Sequence, residues 1–192
     1  MRRAFLCFGV LLAAASLRAA ENFRLPAFPT PALVADGGRD GEVTPVRFLR
    51  ELHQAGLRGF DRLDTADADY ILLRKDSLGT LTAWLDATCV ALDYDLSRAR
   101  ARTYDGTVFA RLLEVASSLG LLQGQHRALA IPVGIVVCQR AKAWGALPAD
   151  GGEDVYVVFA TDGGMIVYDP PTRQSVALVD FPNKATISQI RF

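Results

Sequence analysis

Between residues 44 and 120 the apolar positions recur every three or four residues, and beyond residue 128 they gather in short β-branched runs. The first pattern predicts helices and the second predicts strands. Thr44 and Pro45 supply a helix N-cap and a first helical residue. Phe48, Leu49, Leu52 and Ala55 form the stripe of that helix, and Gly56 ends it. Residues 67–74 (DADYILLR) read as extended, and a second helix follows from about Ser77 through Leu78, Leu81, Leu85, Thr88/Cys89 and Leu92. After a basic loop at 97–102, Asp105 caps a third helix whose buried face is Phe109, Leu112, Leu113, Ala116 and Leu119, with Gly120 as its stop.

The strand-like runs are 128–138 (ALAIPVGIVVC), 155–161 (VYVVFAT), 165–168 (MIVY), 175–179 and 186–191. Pro132 predicts an edge or a bulge in the first of them. Asp162-Gly163-Gly164 and Asp169-Pro170-Pro171-Thr172 are turn signals between the later ones. Helices first and hairpin-linked strands afterwards predict an α+β fold, with N-terminal helices packed on a C-terminal antiparallel sheet.

The N-terminus adds a location. Arg2 and Arg3 precede an uncharged apolar run at 4–16, and Ala19 and Ala20 follow it. A bilayer span needs about 20 apolar residues, so this three-part layout predicts a secretory signal over residues 1–20. Cleavage after Ala19 places Leu17 three residues back, whereas cleavage after Ala20 would place charged Arg18 there. The alternative is a buried N-terminal helix. Residues 21–43 hold Pro26, Pro29, Pro31, Gly37, Gly38 and Gly41 and read as an extended arm or linker. Residues 44–192 read as one domain. The expectation is a periplasmic or secreted protein.

The full chain carries 21 basic and 21 acidic residues, and loss of Arg2, Arg3 and Arg18 leaves 18 basic against 21 acidic, a net charge of −3. With no polybasic stretch, nucleic acid and an anionic membrane surface are poor partners. Cleavage also removes Cys7 and leaves Cys89 and Cys138. An even pair in an oxidising compartment allows one disulfide. Equally, each thiol packs alone as a small apolar group.

Chemistry-bearing motifs are sparse. His53 lies on the polar side of the first helix, His126 lies in a loop, and neither has ligands at metal spacing. There is no CxxC, HExxH, P-loop or GxSxG pattern, so no metal or cofactor is implied. Cys138 and His126 bracket one strand and would sit ~35–40 Å apart if it were extended, too far for a dyad.

The stretch Tyr104-Asp105-Gly106-Thr107-Val108-Phe109-Ala110, followed by a strand and a hairpin ending in Asp169-Pro170-Pro171-Thr172, resembles papain/transglutaminase-like cysteine hydrolases. It is most similar to small phage and bacterial domains with a YDCxxFA motif. The resemblance covers residues 67–179 and implies a papain/transglutaminase-like arrangement. It further implies a cysteine at the helix start, a histidine opening the next-but-one strand and an acid on the strand after it. Those positions hold Gly106, Asp154 (or Val155) and Asp169. Gly106 has no nucleophile and Asp154 no imidazole, so the implied triad is degenerate. Thr107 has a hydroxyl and no evident base.

The expected site is therefore a cleft at Tyr104, Asp105, Gly106, Thr107 and Asp169 that binds a peptide, a glycan or a protein without catalysis. Two other readings stand beside it. One is an active hydrolase or acyltransferase with a different catalytic set, and the other an envelope protein with no ligand.

Overall fold

Strand formation in the C-terminal half follows the alternation of its side chains. In the computed structural model, which describes residues 26–34, 42–43, 45–57, 63–64, 70–91, 111–113, 115–116, 131–144 and 149–192, β5 (Glu153–Thr161) sends Tyr156, Val158 and Ala160 to one side and Val157 and Phe159 to the other. Period-two alternation with apolar residues on both sides makes a strand that must be covered twice. It pairs antiparallel with β4 (Val133–Gln139) and β6 (Gly164–Asp169). β7 (Gln174–Ala177) pairs with β6, and β8 (Ile187–Arg191) returns to the far side of β4.

The sheet order is β2-β8-β4-β5-β6-β7, where β2 (Leu63–Asp64) is a short parallel addition to β8. Five antiparallel strands and flanking helices make the fold α+β. The parallel strand was not legible in the sequence, because two residues carry no periodicity. A second ladder pairs β1 (Glu42–Val43) with β3 (Tyr70–Ile71).

Pro132 corrects one expectation. It lies just before β4 rather than within a strand, and its carbonyl accepts from Ala160 N–H at 3.0 Å. The strand begins where a donor is again available. The irregularity falls further on, between Val137 and Cys138, where β4 shifts register against β8. Residues 178–180 form a 3-10 turn, so the fourth strand stops at Ala177.

Two helices cover opposite faces. The helix α1 (Pro45–Gln54) places Phe48 and Leu52 against Tyr156, Val158, Val167 and Ile190. Phe48 stacks on Phe192 at 4.5 Å and meets Tyr70 at 5.4 Å. On the other face α2 (Leu78–Ala91) packs Leu81, Trp84 and Leu85 with Val157, Phe159 and Tyr168. Residues 111–113 and 115–116 are helical, and Leu113 and Ala116 join this second cluster. No helix among the described residues is long and apolar enough to cross a membrane.

The described part of the arm, residues 26–34, is extended and lies against the domain. Trp84 Nε1–H donates to Pro26 O at 3.3 Å, and the Phe28 ring sits 5.3 Å from the Trp84 ring. Leu33 bridges Leu73 antiparallel, with Val34 N–H donating to Leu72 O and Arg74 N–H donating to Ala32 O. Docking satisfies backbone groups that the proline content withholds from helix or sheet.

The β4–β8 pair admits no side chain at Gly134: a Cβ there would lie 1.8 Å from Arg191 O. Gly134→Ala forces the two backbones apart and is expected to cost about 1–3 kcal/mol or more in urea unfolding. Gly79→Ala on α2, where a Cβ meets nothing within 4 Å, is expected to gain about 0.5–1 kcal/mol instead. Equal effects of the two substitutions would refute the close approach.

Candidate functional site

Tyr104, Asp105, Gly106 and Thr107 lie outside the described residues, as does His126. Asp154, Asp169 and Cys138 are described, and β-sheet parity brings them to one face. Asp154 stands opposite Cys138 in the β4–β5 register and two residues before Tyr156. Asp169 ends β6 on the side of Val167. This is the face covered by α1. Leu113 and Ala116, from the helical stretch that follows Gly106 in sequence, pack on the other face.

Both carboxylates have partners. Asp154 Oδ2 accepts from the Tyr156 hydroxyl at 3.0 Å and lies 3.4 Å from Arg140 Nη1, while Oδ1 accepts from Val155 N–H. Arg140 also grips Asp150 bidentately, Nε to Oδ1 at 2.8 Å and Nη2 to Oδ2 at 2.7 Å. One guanidinium thus closes the long β4–β5 connection on two carboxylates. The Arg140 hydrogen bonds, then the Gly152 N–H, hold the Asp150 carboxyl below its ordinary value. Burial, then the adjacent Asp154 charge, raises the Tyr156 phenol.

Asp169 is 2 % exposed and accepts a short hydrogen bond from the Thr172 hydroxyl. Its place is in the turn: Arg173 N–H donates to Pro170 O at 3.3 Å, and Arg173 adopts a φ of 58°. The Asp-Pro-Pro-Thr motif therefore has a local structural explanation, an acid tying its own turn.

Cys138 is a buried free thiol. Burial, reinforced by the facing Asp154, pushes it up to about 12. The thiolate is the reactive species, so this sulfur is inert near neutral pH. The side chain of Cys89 lies outside the described residues.

A separate groove of about 390 Å³ opens between the end of α1, the β5–β6 turn and the chain after β7. Its walls include Ala55, Met165, Leu178 and Val179, with Glu51 and Gln54 at the α1 side. Glu51 Oε1 lies 3.4 Å from Arg47 Nε, whereas Oε2 is out of water with no partner. Burial raises the Glu51 carboxyl, opposed by Arg47. The sequence held a signal for this. Glu51 falls three residues after Phe48 and beside Leu52, on the edge of the apolar stripe. Arg140, Asp150 and Tyr156 carried no such signal, because their meeting depends on how β4 and β5 pair.

Among the described residues no group of three His, Cys, Asp or Glu side chains is arranged to hold a metal ion. No family model, no characterised protein and no solved structure matches the chain.

Two measurements check this geometry. In the protein carrying Cys7→Ala and Cys89→Ala, Cys138 is the remaining thiol, and its raised value leaves about a thousandfold less thiolate than an ordinary cysteine. Iodoacetamide at about pH 8 should label it only after unfolding in guanidinium; prompt labelling of the folded protein would contradict the burial. For Glu51, a folded-state value above the unfolded one stabilises the acid form. Stability from this group is full below the unfolded value and is lost as pH rises through the folded one. Glu51→Gln should therefore gain on the wild type in urea midpoint as pH rises above the ordinary glutamate value; a constant difference would contradict the assignment.

Proposed function

We propose that this chain is an exported domain that works by binding a peptide, glycan or protein, and that it carries no hydrolase chemistry. The observation that carries the reading is the state of Asp154. At the position where the papain/transglutaminase-like resemblance calls for an imidazole, its carboxylate is bound by the Tyr156 hydroxyl and Arg140. A carboxylate so engaged supports the strand and its loop, and it is not a base for a thiol. Asp169, at the third position of the resemblance, is likewise committed to its turn through Thr172.

The order of helices and sheet supports the resemblance in outline. Asp154 and Asp169, the two of these positions that are described, are both engaged in hydrogen bonds, which weighs against a working triad. Export rests on the N-terminal pattern of Arg2, Arg3, an apolar run and Ala19.

Expressed with its full N-terminus in a Gram-negative host, the protein should be recovered outside the cytoplasm with Ala20 as its first residue by intact mass. It should give no covalent adduct with thiol-directed hydrolase probes while folded. An uncleaved cytoplasmic product would remove the export claim. A stoichiometric active-site adduct would remove the non-catalytic one.

A further inference from the structure

The arm at residues 26–34 (PAFPTPALV) is bound in the way a peptide ligand is bound. Its backbone pairs with the extended segment 72–74 through one antiparallel bridge, Leu33 to Leu73. Val34 N–H donates to Leu72 O at 2.9 Å, and Arg74 N–H donates to Ala32 O at 3.0 Å. The Ser77 hydroxyl donates to the same Ala32 carbonyl at 2.8 Å. At the other end the Trp84 indole, itself 5 % exposed, donates to Pro26 O and carries the Phe28 ring at 5.3 Å and 30°. Pro31 is buried, whereas Phe28 keeps 38 % of its surface open.

These are the elements of strand-addition recognition: main-chain hydrogen bonds for affinity and an aromatic seat for register. Three prolines in nine residues hold the segment extended before it docks, which lowers the ordering cost. The sequence ADGGRDG at 35–41, with three glycines in seven residues, joins the segment to β1.

We propose that the surface formed by residues 72–74, Ser77 and Trp84 is a binding site for extended proline-rich peptides with an aromatic residue near the N-terminal end, and that the arm is its tethered occupant. A partner protein presenting this pattern displaces the arm. The competition is intramolecular, and a ligand on a short tether is held at an effective concentration of about millimolar. The proposal deepens the binding reading above and rests on it, but it is tested apart from the thiol chemistry.

The test uses the processed full chain with a weakened arm, Phe28→Ala with Leu33→Ser, and a fluorescein-labelled peptide PAFPTPALV followed by anisotropy. The weakened-arm protein should bind at least tenfold more tightly than the unmodified protein, whose own arm competes. A peptide with alanine in place of phenylalanine should bind at least tenfold more weakly than the parent peptide. Equal binding of the two peptides, or no binding by a weakened-arm protein that is folded by circular dichroism, overturns the proposal.

Should the double variant not fold, the unmodified protein titrated to about 10 mM peptide, above the tethered concentration, should shift the amide resonance of the arm's own Val34, whose N–H loses Leu72 O when the arm leaves. An unmoved resonance overturns the proposal. A dimer of the unmodified protein that the peptide dissociates assigns the seat to a second copy's arm and also overturns it. Loss of peptide binding with thiol inertness retained removes this proposal alone and leaves the non-catalytic reading standing.

Discussion

Strand β5 has protein on both sides. From Tyr156 to Thr161 every residue is buried, and the alternation of the backbone sends half of them to each face. A side chain of this size contributes about 1.5–3 kcal/mol when fully buried, but only if something covers it. The requirement places α1 on one face and α2 with the 111–116 helical residues on the other. It also explains why the β8 return lies beside β4 rather than beside β7. Seated there, the chain's last strand and Phe192 complete the cluster around Phe48 and Tyr70.

A sheet buried on both faces leaves its loops to satisfy their own polar groups. Arg140 does so for the β4–β5 connection by joining Asp150 and Asp154. Asn183, 1 % exposed, imitates a neighbouring strand, accepting from Lys142 N–H at 2.7 Å and donating to Lys142 O at 3.0 Å. Thr161 and Gly164 close the β5–β6 hairpin, with Gly164 at a φ of 94° that favours glycine. Buried polar groups treated in this way rigidify the ends of the sheet.

This arrangement bears on function. Two acids that a sequence motif suggests for catalysis hold local structure: Asp154 binds Tyr156 and Arg140, and Asp169 binds Thr172. The features open to a partner lie at the margins, where packing is incomplete. One is the groove at Glu51, with a desolvated oxygen. The other is the arm seat at Trp84, where Leu73 bonds to Ala160 O and Asp162 N–H at the end of β5 while Leu72 O and Arg74 N–H find their partners in a proline-rich segment.

The amino-acid sequence by itself determined the class of the fold, the position of α1 and α2, the two hairpin turns and the residues of the central strand. All of these rest on periodicity or on turn chemistry within a dozen residues. It also placed Asp154 and Asp169 near strand ends. Which face each one takes, and therefore what it meets, was decided by tertiary structure. A single residue of register inverts every side chain, and the pairing of β4 with β5 and β8 is non-local. The same reason hid the docking of the arm. Pro26 to Val34 is extended on any reading of its prolines, but its partners Leu72, Arg74, Ser77 and Trp84 lie some forty to sixty residues away and meet it only when the domain has folded.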